Sequence, residues 1–293
     1  MRAGLFIVAL LAGLICSGVH ARSSVWKVSD SDSHVYVAAS IHYLGENDYP
    51  LPCEFEFVYG LAEQMTLEVD HRVLKHRAFQ RRQAAGFYFA DGSSLYDRLT
   101  PANRIQLDEL LAEAGLGSEP YARMKPAVLA SVLTNRRLTQ NVRNPRGLEA
   151  YLIDLAVTDR KPIEFIDTPD QYIARALKLT DGHEDEYLIE VINHLAQLDQ
   201  TMLAIKPAWR QGDIEAMSSI LEIPRLLDRG PPFLRTDLIQ KNLAWLRAIE
   251  ALLATPATAL LVIDAANLVT DSGVLSLLGI RGYQIARVNE CRS

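Results

Sequence analysis

VYVAASIHYLGENDYPLP, residues 35–52, is an apolar strand pattern that runs into one histidine, His42, and then into a polar loop with two prolines. LLVIDAANLVTDSG, residues 260–273, repeats that pattern near the other end of the chain: apolar run, small residues, one polar side chain, polar loop. In this alignment His42 faces Asn267 and Ala39 faces Asp264. A helix pattern and a second strand pattern follow each stretch. Two β-loop-α-β units at opposite ends, with helices between, predict an α/β (α+β) fold whose mixed central sheet is completed by both ends of the chain. Ligands commonly sit at the loops beyond strand ends in such sheets, which is where His42 and Asn267 fall.

Outward from the first stretch, residues 25–27 and 34–40 read as a hairpin around the polar cluster SDSDS. A helix is expected over 51–63. QMTLEVD, residues 64–70, alternates: Met65, Leu67 and Val69 point one way, and Thr66, Glu68 and Asp70 the other. The middle, about residues 100–255, reads as helical. Thr100-Pro101 and Thr168-Pro169 each place a cap residue before a proline at a helix start. Helices are expected over 101–115, 126–141, 147–158, 169–179, 184–205 and 233–253, with a short strand at 161–167 and a loop at EIPRLLDRGPPF, residues 222–233. Strand, loop, helix and strand at 259–263, 273–278 and 283–288 close the chain. No low-complexity linker divides it, so residues 22–293 are expected to form a single domain.

Met1-Arg2 followed by the apolar run 3–15 and by Val19-His20-Ala21 predicts a signal peptide cut after Ala21, and therefore a periplasmic or secreted protein. Cys16 follows bulky Ile15, which argues against a lipoprotein. No later apolar stretch is long enough for a membrane span. The chain of 293 residues carries 30 Lys+Arg against 36 Asp+Glu, a net charge of −6, which becomes −7 without Arg2. That balance argues against a nucleic-acid partner. Cys53 and Cys291 remain beyond the leader, and in an exported chain an even pair is a disulfide candidate.

The chain has no G-x-G-x-x-G after a strand, no phosphate-binding P-loop and no G-x-S-x-G elbow. GHEDEY, residues 182–187, begins like a zinc-protease helix but has Tyr187 where the second histidine belongs. His194 reads as part of a solvated helix face. Ser40 lies near His42, but two residues along a strand is poor geometry for a nucleophile and its base. The remaining set is His42, Glu68 and Asp70. A neutral imidazole and carboxylates are usual ligands of zinc, manganese or cobalt. A mid-strand carboxylate needs a cation or donors when buried, and an arginine serves as well as a metal. Residue spacing leaves the two open.

Taken in order, VWKVSDSDSHVYVAASIH (25–42), NDYPLP (47–52), TLEVD (66–70), YARMKPAVLASVL (121–133), KPIEFIDTPDQ (161–171), LIQKNLAWLRAIEALL (238–253) and RGYQIARV (281–288) resemble the TraB/GumN family, which is related to the TraB/PrgY and Tiki groups. The resemblance covers nearly the whole chain beyond the leader. It implies two G-x-x-H motifs, one near each end, and the internal repeat falls on them. Tiki-like members are described as manganese- or cobalt-dependent proteases that use the paired histidines and a strand glutamate. TraB/PrgY members are associated with lowered peptide pheromone levels. By this resemblance His42 and Glu68 are the catalytic candidates, and His42, Glu68, Asp264 and Asn267 the candidate metal ligands. Asp167 and Lys241 join Asp70 as further polar candidates.

The departures fall on these motifs. The first reads Ala39-Ser40-Ile41-His42, with alanine for glycine, and the second Asp264-Ala265-Ala266-Asn267, with neither glycine nor histidine. Lys241 stands where arginine is usual, and loses the bidentate fork. Asp167 stands for glutamate. Asparagine is a weak ligand beside histidine. Three readings follow: a fold related to metalloproteases with a degenerate site, peptidase activity reduced or lost, and a peptide or protein bound instead; an active metal-dependent hydrolase with an altered site; and an envelope protein with no enzymatic role. The divalent cofactor is accordingly Mn, Co or Zn, or none.

Overall fold

The computed structural model describes residues 23–291 apart from residues 43 and 120. The expected signal peptide lies outside the described residues. Strands β1 (Val25–Ser29) and β2 (His34–Ser40) form the expected hairpin, closed by Asp30, whose carboxylate accepts from the backbone N–H of Asp32 and Ser33. Helix α1 (Cys53–Leu61) leads into β3 (Gln64–Leu67), α2 (His71–Lys75) and α3 (Arg77–Gln83). Next come α4 (Pro101–Glu113), α5 (Pro126–Asn141), α6 (Leu148–Asp159), β4 (Ile163–Phe165) and α7 (Pro169–Leu179). Then follow α8 (Glu184–Gln211), α9 (Ile214–Ile220), α10 (Ile223–Arg229) and α11 (Pro232–Leu253). The last elements are β5 (Ala259–Asp264), α12 (Ala265–Leu268), α13 (Val274–Ile280) and β6 (Gln284–Arg287).

The six strands form one mixed sheet in the order β4-β3-β5-β2-β1-β6. The block β4-β3-β5-β2 is parallel throughout, and β1 is antiparallel to both its neighbours. The two units read from the sequence are therefore direct neighbours, β2 against β5. Their ladder pairs Ala39 with Ile263 and Ser40 with Asp264, one residue away from the alignment of the repeat. The alignment matched small residues by type, whereas a ladder register is set by which side chains each face must bury.

β2 and β5 are buried nearly end to end, as parallel strands covered on both faces must be. Trp209, fully buried near the end of α8, locks this core: its indole N–H donates to the carbonyl of Ala39 at 2.7 Å, and its ring packs at 5.0 Å from that of Phe55. A second apolar cluster joins α4, α5 and α8 through Leu107, Leu111, Leu129, Leu133, Leu195 and Leu198. Helix α8 thus enters both cores, its first half in the helical cluster and its last turns on the sheet.

Several elements differ from the sequence reading. β3 stops at Leu67 rather than 70, because Asp70 leaves the sheet to cap α2 through the N–H of Arg72. The expected loop 222–233 contains α10, whose Pro224 sits in the first turn, where a missing N–H costs nothing. α8 continues past Pro207. The carbonyl that this proline leaves without a donor belongs to Leu203 on the solvent face, where water can take it.

α8 ends at Gly212, in the left-handed region at φ 60°, and a Cβ there would stand 2.3 Å from the carbonyl oxygen of Ser23. Both the dihedral and the close approach demand glycine. Gly212→Ala is expected to cost at least about 2 kcal/mol, seen as a lower urea midpoint with an unchanged slope. A loss below about 0.5 kcal/mol would show that the α8–β1 junction yields freely.

Candidate functional site

Because β2, β5, β3 and β4 run the same way, their carboxyl ends share one edge of the sheet, and each delivers a polar residue there. β2 delivers Ser40 and, two residues on, His42. β5 ends in Asp264. Glu68 follows β3, and Asp167 follows β4. Helix α6 adds Glu149 from its first turn, where a carboxylate suits the helix dipole. Gly147 permits that approach: a Cβ on it would lie 3.5 Å from Cα of His42 and 3.2 Å from Oε2 of Glu149.

These groups form two charge clusters. In the first, His42 has a carboxylate at each ring nitrogen: Nε2 lies 3.0 Å from Oδ2 of Asp264, and Nδ1 lies 3.5 Å from Oε1 of Glu149. The buried Ser40 hydroxyl donates to the same Glu149 oxygen at 2.6 Å. The other oxygen of Asp264 accepts the N–H of Ala266 at 2.8 Å and caps α12. Half of the His42 side-chain surface is open to solvent, although protein packs closely around the ring. The Glu149 charge, with bonds to Asp264 and Glu149, overcomes desolvation and holds the imidazole well above its ordinary value of 6.5. Burial pushes Glu149 up, but the His42 charge and the bonds from His42 and Ser40 outweigh it and bring the carboxyl down to about 2. Each ring nitrogen of His42 thus faces a carboxylate, an arrangement that favours the imidazolium. Its edge-on neighbour His71, 6.4 Å away between ring centres, is pushed the other way, chiefly by burial.

In the second cluster Arg175, from α7, bridges two strand ends. One nitrogen meets Oε1 of Glu68 at 2.7 Å and another contacts Oδ2 of Asp167. The backbone supports the pair, since the N–H of Asp167 donates to the carbonyl of Glu68 at 2.8 Å. Lys241, on α11, pairs with Asp237 at 3.2 Å. Burial lowers the Lys241 ammonium, but the charges of Glu68 and Asp237 raise it further. Burial raises Glu68 despite the opposing charges of Lys241 and Arg175, and Asp264 adds to the rise, so the two clusters feel each other.

The structure therefore brings His42 to Asp264, and Glu68 to Asp167, with Lys241 acting on Glu68 through its charge. Two candidates lie elsewhere. Asn267 is buried and donates its amide to Oδ1 of Asn242 at 2.8 Å, whose own amide donates to the carbonyl of Ser272. Asp70, expected beside Glu68 on one strand face, instead pairs bidentately with Arg72, because the alternation ends with β3 at Leu67. Cys53 and Cys291 form the expected disulfide, with Cα atoms 5.4 Å apart. Among the described residues, the only group of three or more His, Cys, Asp or Glu side chains with donor atoms mutually within 4.8 Å is Cys53, Glu54 and Cys291; the His42 and Glu68 clusters do not meet that spacing. Sequence reasoning missed Glu149, Arg175 and His71. Glu149 and Arg175 carried no signal beyond a helix position, and His71 follows directly on the quoted strand.

A cavity of about 320 Å³ opens beside His42 and Asp264. Ile220, Leu226 and Leu234 supply apolar wall, and Glu190, His194 and Arg225 supply polar groups. Arg225 is held by Glu190 at 2.7 Å and Glu222 at 3.0 Å. Among the described residues no helix is long and apolar enough to cross a membrane.

A mixed sheet completed from both ends of the chain, with a strand-edge site and a long helical insertion, is the class of fold defined here. Residues 24–287 match the sequence model of the TraB/PrgY/gumN family, and the chain belongs to that family. No curated protein and no solved structure matches it.

Two outcomes follow from the charges. His42's raised value means its contribution to stability is complete below about 6.5 and is lost as pH rises through the folded value. Glu149's contribution is complete above about 4.5 and is lost only as pH falls toward about 2. Urea unfolding across pH should therefore show an alkaline decline in the wild type that His42→Gln removes; identical profiles above pH 6.5 in both would refute the imidazolium. Arg175→Met leaves Glu68 and Asp167 without their shared cation. It should cost roughly 2–3 kcal/mol, less than a fully buried pair because both carboxylates are partly solvated. Adding Glu68→Gln to that variant should recover part of the loss, and a strictly additive double variant would show that the bridge contributes nothing.

Proposed function

We propose that this protein is an exported member of the TraB/PrgY/gumN family whose strand-edge site binds a peptide or protein ligand, with peptidase chemistry reduced or lost. The observation that carries this reading is the placement of His42, whose two ring nitrogens each face a carboxylate. That placement favours the imidazolium, which has no free lone pair for a metal. The other candidate donors are also engaged. Asn267 belongs to a buried amide chain, and Glu68 is neutralised by Arg175 beside Lys241. This engagement of the candidate donors weighs against a Mn, Co or Zn centre. What remains is a cleft with apolar walls and a few fixed charges, the composition of a ligand site. The Cys53–Cys291 disulfide supports an oxidising compartment outside the cytoplasm.

The convergence of His42, Glu149 and Asp264 favours a second reading, an active metal-dependent hydrolase with altered ligands: a cation able to displace the His42 proton would find two carboxylates beside it. Metal content decides between them. Purified, non-reduced protein is incubated with manganese, cobalt and zinc, desalted and assayed beside His42→Ala. The binding reading expects no near-stoichiometric metal in either, and peptide-induced thermal shifts without cleavage. Near-stoichiometric metal that disappears in His42→Ala would overturn it in favour of the hydrolase.

A further inference from the structure

The disulfide has a neighbour that it leaves unsatisfied. Glu54, in the first turn of α1, is 1% exposed, and its Oε1 has no hydrogen-bond partner among the described residues. Its Oε2 lies 3.7 Å from Sγ of Cys53, but a disulfide sulfur carries no proton to donate. Among the described residues the carboxylate is thus buried against the bridge with no donor, an expensive arrangement for a charge. The side-chain donors of Cys53, Glu54 and Cys291 all lie within 4.8 Å of one another. None of the three belongs to the charge clusters around His42 and Glu68.

We propose that Cys53, Glu54 and Cys291 form a redox-gated zinc site, closed as the disulfide and open as the dithiol. A dithiol reductant transfers two electrons and two protons to the bridge: the S–S bond breaks, two thiols form, and the reductant leaves as its own disulfide. Zinc then displaces both thiol protons, and the two sulfurs and the Glu54 carboxylate bind the ion, with a water in the fourth position. A disulfide oxidant then takes two electrons from the two thiolates and leaves as its own dithiol with two protons from solvent, while the S–S bond re-forms and the zinc is released.

Three features support the assignment. Two thiolates and a carboxylate are a zinc donor set, whereas the harder manganese and magnesium ions prefer oxygen. Sulfur atoms released from a disulfide separate to a non-bonded distance, close to the spacing of two sulfurs at about 2.3 Å from one tetrahedral zinc. Cys53 is the first residue of α1, where the helix dipole favours the thiolate, and it is exposed to a reductant. The ion would also give the Glu54 carboxylate the partner that it lacks.

The test compares zinc bound by the full chain in its disulfide form and after reduction and anaerobic desalting, using zinc itself as the probe and an indicator competition as the readout. The expected result is about one zinc per reduced chain with release of two protons, no zinc in the disulfide form, and a thiolate-to-metal charge-transfer band when cobalt is substituted. Removing even an outer partner of a ligand costs about 10–100-fold, so Glu54→Gln should weaken binding by at least about tenfold. Reduced protein that binds no more zinc than the disulfide form would overturn the proposal. So would equal affinity in Glu54→Gln, because thiols of an unfolded reduced chain would ignore Glu54. Circular dichroism of the reduced protein beside Cys53→Ser/Cys291→Ser checks the fold, and binding that survives in that double variant overturns the proposal as well.

Discussion

The parallel pairing of β2 with β5 is the contact on which the rest of the structure depends. It joins residues 36–40 to residues 260–264, and almost the whole helical middle must be accommodated between them. Such a closure costs chain entropy that no local interaction repays. The return comes from two apolar strands buried on both faces, with Trp209 bonded to Ala39 from above. Once β2 and β5 are paired, β3 and β4 extend the parallel block on one side, and β1 and β6 complete the sheet on the other. The carboxyl ends of four strands then have no choice but to share an edge, and the candidate site is a consequence of that topology.

At this edge acids outnumber strand-end cations, and the chain balances them in two ways. His42 becomes a cation because carboxylates approach both its nitrogens, and Glu149 remains ionised although buried because His42 and Ser40 serve it. Each group creates the condition for the other's charge. At Glu68 the solution is different: a permanent guanidinium, Arg175, ties it to Asp167. A guanidinium cannot deprotonate, so this half of the site keeps its charge as pH rises, whereas the histidine half loses its charge once pH passes the raised folded value. The two halves are coupled through Asp264, which touches His42 and raises Glu68.

Much of the fold was legible in the sequence because its signals are local. Thr100-Pro101 and Thr168-Pro169 start helices where expected, and the apolar runs of β2 and β5, with the polar turn that joins β1 to β2, mark those strands. The shortfall came where tertiary structure decides. Val69 and Asp70 continue the period of a strand, but Asp70 caps α2 instead. Pro224 reads as a breaker and sits in the first turn of α10. Pro207 reads as a stop and is carried on a solvent face. In the candidate site, His42 and Glu68 stood out by type and place and Asp264, Asp167 and Lys241 through the family resemblance, whereas Glu149 and Arg175 carried no signal. A glutamate in a helix's first turn and an arginine in mid-helix are ordinary in any sequence. Only folding brings one within reach of a strand-end histidine and the other between two strand-end carboxylates.

The departures from the family motif acquire a physical meaning in this setting. Asparagine at 267 donates to Asn242, and Asn242 donates onward to Ser272, so the side chain fastens α12 to α11 rather than facing His42. Aspartate at 264 adds a carboxylate to the ladder position opposite Ser40, and that carboxylate both caps α12 and supports the charge on His42. The two motif positions therefore have different roles in this fold: residue 267 serves the contact between α11 and α12, and residue 264 sets the electrostatic surroundings of His42 beside the cavity.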